Sequence, residues 1–359
     1  MDIFSLVNLA AAKGASDLHM LAASPPLLRI NGLLEPVADM PPLTPEDINQ
    51  AFDQIASDKE KADFQRWLEL DFGYTLSGGS RIRCNAAKQR GSTSLVIRLV
   101  PLHIPTLEEL ELPDICRELV LKPRGLVLVS GPTGSGKSTT LAAMINYLNS
   151  TKSRRVVTIE DPIEYVYTND KCVITQRELG TDTLTFAEAL KRVVRQDPDV
   201  ILVGEMRDLE TAAAALNIAE TGHLVLTTGH APSTAQAIER MIDLFPPHER
   251  HLAQSRLASL LLGILCQVLV PTDNGPSRVV AVEVMLASPA IRNTIREGRI
   301  YQLPNTILTQ SKAGMILLDQ ALVNLYRQSL IGSENLFAFC NDPDEVTKLV
   351  GRIEKINIS

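Results

Sequence analysis

The chain has 359 residues, long for one domain and enough for two with a substantial core. Its net charge of −7 gives no whole-protein attraction to nucleic acid or anionic lipid, and aromatics at 4% leave little material for stacking bases. Nucleic-acid binding is therefore not expected. Cys84, Cys116, Cys172, Cys266 and Cys340 are dispersed and form no CxxC pair, which excludes a four-cysteine zinc clip and predicts reduced, mostly buried thiols in the cytoplasm.

Residues 3–13 read as an amphipathic helix; without a basic n-region they do not read as a signal peptide. Short alternating runs at Leu27–Ile30 and 94–100, with helical stretches near 3–13 and 45–69, predict a small α+β domain over residues 1–100. Arg81 and Arg83 in SRIRCN and Arg98 in LVIRLV decorate two of its strands. They are either an ordinary charged sheet face or arginines lent to the phosphates of a neighbouring subunit. Residues 101–118 read as a linker, because Pro101, Pro105 and Pro113 restrict themselves and bias their predecessors towards extended backbone.

A second domain over 119–359 follows a different rhythm. Apolar runs at 125–130, 155–160, 199–204 and 223–228 predict fully buried parallel strands with helices between them on both faces. Thr185 and Glu188 form a capping-box pattern opening a helix at 186–196. The longest apolar segment, 257–270, is too short to span a bilayer and carries Gln267. It is expected to be a buried helix, in a region that reads as largely helical after about residue 255. Any membrane role is expected to come through a partner.

The stretch Gly131, Pro132, Thr133, Gly134, Ser135, Gly136, Lys137, Ser138 fits GxxxxGK[ST] between a predicted strand and a predicted helix, and Thr139 follows inside that helix. That context aims backbone N–H groups and a helix N-terminus at one anion. Lys137 is expected to reach the β- and γ-phosphates of ATP, and the Ser138 hydroxyl to ligate Mg2+. The run DVILV leads to Gly204 and Glu205, so a glutamate stands one residue beyond the usual acidic position. Glu205 is expected to act on the metal through bound water.

Glu160, Asp161 and Glu164 cluster after a buried strand, at the sheet edge where such folds bind ligands. One of them could polarise the attacking water as general base. His223 and His230 bracket another buried strand and are expected to sense the γ-phosphate, although a lone histidine is more often a structural donor. His248 and His251 sit on a charged helix and read as solvated.

Together these segments resemble the secretion-type hexameric ATPases that drive type II secretion and type IV pili. The phosphate loop is GPTGSGKSTT, the acidic box TIEDPIEYV over 158–166, the second acidic strand DPDVILVGEMRD over 197–208, and the histidine box TGHLVLTTGH over 221–230. Ser16, Asp17, Leu18 and His19 extend the likeness to the N-terminal domain. AIRNTIRE over 290–297 and GMILLDQAL over 314–322 point to the pilus retraction branch.

The resemblance implies a RecA-like phosphate-loop ATPase domain preceded by a PAS-like domain, closing as a homo-hexamer. It implies Glu164 as general base, Glu205 as the metal-site glutamate, and Lys137 and His230 at the phosphates with His223 near them. Glu160 and Asp161 would lie beside the nucleotide, and Arg81, Arg83 and Arg98 would complete a neighbour's site. The implied partner is the inner-membrane platform protein of the pilus, with a paralogous ring as a further one. The histidine box departs from the family pattern: Gly229 precedes the second histidine and is expected to loosen its backbone.

Helical spacing in 290–297 puts Ile291 and Ile295 on an anchoring face and Arg292 and Arg296 on another. These arginines are expected to face outward or across a subunit boundary and to pass the ring's motion to the pilus base. Alternative readings are an assembly or secretion ATPase, an accessory ring that turns over little, and a nucleic-acid translocase. Assembly and secretion members generally carry a long N-terminal extension and a four-cysteine zinc site, neither of which is found in this sequence.

Overall fold

A computed structural model describes residues 2–30, 32–77, 81–100, 103–273, 275 and 277–356. Ser80 of an expected strand, Pro101 and Leu102 of the expected linker, and residues 357–359 of the second domain lie outside this set. The chain divides into two units, Met1–His103 with Pro162–Val166, and Ile104–Asp161 with Tyr167–Ser359.

The first unit runs α1 (Ile3–Ala12), β1 (Asp17–Met20), β2 (Leu27–Ile30), β3 (Leu33–Pro36), α2 (Pro45–Ile55), α3 (Asp58–Trp67), β4 (Glu69–Thr75), β5 (Arg81–Gln89) and β6 (Ser92–Leu99). Its strands form one antiparallel sheet in the order β3-β2-β1-β6-β5-β4. Apolar residues alternate along β5 and β6, and one face packs Ile82, Ile97 and Leu18 against Ile3, Ile48 and Phe52. The helical stretch expected near 45–69 is two helices. Ala56 is extended, and Ser57 starts a new helix by capping the Glu60 N–H while Glu60 caps the Ser57 N–H.

The second unit runs α4 (Ile115–Val120), β7 (Gly125–Ser130), α5 (Lys137–Thr151), β8 (Arg155–Glu160), β9 (Val173–Glu178), α6 (Phe186–Val193), β10 (Val200–Val203), α7 (Leu209–Glu220) and β11 (Leu224–Thr228). It continues with α8 (Thr234–Asp243), α9 (Arg250–Leu260), β12 (Leu261–Pro271), β13 (Arg278–Leu286), α10 (Pro289–Arg296), α11 (Leu303–Thr309), α12 (Leu318–Arg327), α13 (Ser333–Phe339) and α14 (Pro343–Ile356). Seven strands form a sheet in the order β13-β12-β7-β11-β10-β8-β9, parallel except for β13 at the edge. Every residue of β7, β10 and β11 is buried, as strands covered on both faces must be. Leu107, Leu112, Cys116 and Leu119 join the core of this unit, so much of the expected linker is part of the second domain.

Segment 257–270 is not one helix. Helix α9 ends at Leu260, and β12 begins at once, between β7 and β13. A mostly apolar run of this length has no clear period to separate a buried helix from a buried strand. The deciding factor is the partner strand β13, whose Val279, Val280, Val282 and Val284 pair with β12 through tertiary contact. The region after 255 therefore adds two strands to the sheet before it becomes helical. Thr185 does cap α6 through the Glu188 N–H, while the Glu188 carboxylate turns to Lys191 and Arg192.

Helix α10 buries Ile291 and Ile295 as its spacing predicts, but Arg292 is turned inward. Its guanidinium donates to the carbonyls of Ala258 and Ser259 at 2.6 Å each and of Ala287 at 2.9 Å. The last carbonyls of α9 have no partner within their own helix, and the cation meets them. The expectation of an outward Arg292 is thus corrected. Only Arg296 of the pair is exposed.

Candidate active site

The glycine-rich stretch links the end of β7 to α5, the arrangement its motif requires. Gly131 has φ 144°, and a Cβ there would fall 2.3 Å from the Gln267 carbonyl oxygen. Gly136 has φ 86° and is the N-cap of α5 without a side-chain cap, which leaves first-turn N–H groups directed at the loop. Lys137 is 9% exposed, and its Nζ donates to the carbonyls of Gly131 at 3.0 Å and Pro132 at 2.9 Å. The amine is thereby folded over the loop. The Ser135 hydroxyl is buried with no hydrogen-bond partner among the described residues, a costly state unless a ligand or water meets it.

Strand order sets the neighbours of this loop. β11 and β12 flank β7, and β10 and β8 follow beyond β11, all parallel, so their C-terminal ends share one edge. Gly229 and His230 follow β11, Gly204 and Glu205 follow β10, and Glu160 and Asp161 close β8. Glu205 and His230 are brought together: Oε2 of Glu205 lies 3.4 Å from Nε2 of His230, while Oε1 lies 2.6 Å from Nε of Arg207.

Gly229 does not loosen this arrangement. Its φ is outside the left-handed region, and its N–H donates to the Val129 carbonyl at 2.9 Å, one step beyond the β7–β11 ladder. Ala231 exchanges two hydrogen bonds of 2.8 Å with the Ser130 hydroxyl, and Arg240 donates to the His230 carbonyl at 2.9 Å. His230 is thus held by its backbone on both sides. A Cβ at position 229 would come within 3.1 Å of the Ser130 hydroxyl, and Gly229 lines a cavity of about 310 Å³ with His230, Met206 and Arg240.

His223 does not join the phosphate loop of its own chain. A parallel strand has one end at the site, and His223 precedes β11, roughly 20 Å of strand away from His230. Its Nδ1 lies 3.1 Å from the Ile218 carbonyl and from the Thr221 hydroxyl, and its own carbonyl accepts from Gly125 at the start of β7. It closes the end of α7, the structural role a bracketing histidine more often has.

The three clustered acids have different surroundings. Glu160 is 9% exposed, and its Oε1 accepts from Thr158 at 2.6 Å and from Gln176 of β9 at 3.2 Å, which ties it into the sheet. Asp161 is exposed at the strand end. Glu164 lies in Pro162–Val166, grouped with the first unit, where its Oε1 is 3.9 Å from Nη1 of Arg83.

The other expected arginines have partners in that unit too. Arg98 donates to Asp17 at 2.9 Å, and Arg81 to the Thr75 hydroxyl at 3.1 Å. Arg83, Arg98, Asp17 and Arg29 stand in register across β5, β6, β1 and β2, a row of three cations and one carboxylate on one face. Arg207, Arg240 and Gln267 escaped the motif reading. Only Gln267 left a trace in the sequence, as a polar residue inside an apolar run.

The model of the type II/IV secretion system protein family matches residues 82–329. The chain belongs to that family. It is 46% identical to the type IV pilus retraction ATPase PilT of Pseudomonas aeruginosa, over 93% of this chain and 97% of that one. It is 40% identical to the type IV pilus ATPase PilU of the same organism, over 98% and 91%. A crystal structure of the pilus retraction motor PilT with bound ADP superposes with a TM-score of 0.90 at 42% identity, covering 97% of this chain and 99% of that one. The phosphate-loop ATPase fold and its preceding α+β domain are thus those of PilT-like proteins.

Proposed function

We propose that this chain is an ATP-hydrolysing motor that withdraws type IV pili. The observation that carries the reading is the single sheet edge holding the Lys137 loop and the Glu205–His230 pair, in a chain 46% identical to a pilus retraction ATPase over 93% of its length. A spent nucleotide sits in the PilT crystal structure that this chain matches throughout.

In this reading the N–H groups of 133–138 and the N-terminus of α5 hold the phosphates, and Lys137 moves from the Gly131 and Pro132 carbonyls to the β/γ-oxygens. Ser138 and Glu205 offer hard oxygen donors of the kind Mg2+ takes, with Glu205 acting through water because Arg207 and His230 already hold its carboxylate. When bound, Mg2+ neutralises charge developing on the phosphates. Glu164 accepts the proton of the attacking water. His230 and Arg207 keep Glu205 oriented.

Arg81, Arg83 and Arg98 leave their local partners to complete a neighbour's site when six copies close a ring. The ring works at the cytoplasmic base of the pilus on a PilC-like inner-membrane platform protein, with room for a paralogous ring beside it. Among the described residues no helix is long and apolar enough to cross a membrane, so this placement relies on the partner. The reading is tested by ATP turnover of the purified, assembled chain with no other protein present. Steady hydrolysis that Lys137→Ala removes supports it; an assembled chain without turnover refutes it.

A further inference from the structure

We infer that Gln267, in the middle of β12, is a positioning residue that aims the phosphate loop. The inference rests on the reading of 131–139 as the phosphate-binding segment.

Cys266 is in register with Ser130, so Gln267 stands beside the first glycine of the loop. Its side chain is buried, and both ends of the amide are used. Nε2 donates to the Ser135 carbonyl at 2.7 Å, and Oε1 accepts from the Thr140 hydroxyl of α5 at 3.0 Å. The Thr140 hydroxyl satisfies Oε1, so the amide keeps its N–H toward Ser135.

A trans peptide points its N–H opposite to its C=O. Drawing the Ser135 carbonyl towards β12 therefore turns the Gly136 N–H away from the sheet, as a loop that binds phosphate requires. The same residue supports the other end: its own carbonyl lies against Gly131 where a Cβ would come within 2.3 Å, and its Nε2 lies 3.2 Å from the Cβ position of Gly136. The side chain thus holds Ser135, the last glycine and the first turn of α5, while the backbone of the same residue lies against the first glycine. A core position among Leu265, Val268 and Leu269 would be filled at less cost by an apolar residue, since a buried amide is tolerated only with its hydrogen bonds made.

The test compares Gln267→Met, Gln267→Glu, Thr140→Val, Thr140→Ser and Lys137→Ala. ADP affinity is measured by calorimetry, kcat and KM for ATP by steady-state assay, and melting temperature without nucleotide. Gln267→Met, which removes both hydrogen bonds of the amide, is expected to bind ADP about tenfold more weakly. KM should rise more than kcat falls, and the nucleotide-free melting temperature should stay close to wild type. Gln267→Glu, which loses the donor to Ser135, should lose at least as much affinity. Thr140→Val should reproduce the loss and Thr140→Ser should restore binding.

Wild-type ADP affinity in Gln267→Met together with loss in Lys137→Ala overturns the role of Gln267 and leaves the loop reading intact. Wild-type affinity in Lys137→Ala overturns the loop reading itself. Should Gln267→Met unfold, the two Thr140 variants decide: equal affinity for Val and Ser refutes the inference.

Discussion

His230 Nε2 lies 3.4 Å from Glu205 Oε2, which joins the end of β11 to the end of β10 beside the phosphate loop. A change at one strand end is therefore felt at the other. On the proposed role of Glu205, Glu205→Gln should bind ATP with near wild-type affinity yet lose turnover by about 10²-fold or more, since it removes only the charge that would organise Mg2+ and its water. Measuring ATP affinity and kcat on the same preparation separates the two effects. Parallel loss of both would place Glu205 in binding.

Glu164 carries the base assignment although Arg83 stands 3.9 Å from it. Glu164→Gln should spare nucleotide binding and lower kcat by about 10²–10⁴-fold. Normal turnover in this variant would pass the role to one of the acids at the end of β8, of which Asp161 is exposed and Glu160 is held by Thr158 and Gln176.

The two arginines of α10 should behave differently. Arg292→Ala removes the cation from the carbonyls of Ala258, Ser259 and Ala287, at a cost of about 2 kcal/mol and roughly 4–8 °C in melting temperature. Arg296→Ala, on the exposed face, should melt like wild type. If pilus retraction fails in Arg296→Ala while ATP turnover persists, α10 carries the output surface. Equal melting temperatures for the two variants would contradict the inward role of Arg292.

Acid should weaken the first unit. Burial raises the Asp17 carboxyl, but hydrogen bonds from Arg98 and Ser16 outweigh it and leave Asp17 below its usual value. Burial and the nearby Arg29 lower His19, whose Nε2 has no hydrogen-bond partner among the described residues. Both groups release protons more readily folded than unfolded. Their contribution is complete above their ordinary values, 6.5 for His19 and 3.8 for Asp17, and is lost as pH falls through the folded values. Melting curves should show the first loss just below pH 6.5, and His19→Gln should remove that step while keeping the later one. A step unchanged in His19→Gln would refute the assignment.

The sheet was legible where strands are buried on both faces. β7, β10 and β11 are largely apolar runs followed by chemistry-bearing residues, so the loop, Glu205 and His230 could be placed by strand direction alone. The same direction already set His223 at the far edge, a consequence that bracketing by two histidines conceals. β12 was misread because its strand character comes from β13, and an apolar run is silent about its partners. Helical spacing gave the buried face of α10 but could not tell that Arg292 would find the open end of α9. Gln267 meets Ser135 across 132 positions of sequence, and only the register of β12 with β7 brings them together.

The central claim, that ATP hydrolysis by this chain withdraws pili, is tested most directly by imaging fluorescently labelled pili in cells lacking the chain and complemented with either wild type or Glu164→Gln. Wild type should restore retraction, and Glu164→Gln, expressed to the same level and binding ATP, should leave pili extended. Full retraction driven by the Glu164→Gln chain, once its loss of turnover is verified in vitro, would contradict the account and make the chain an accessory ring rather than the motor.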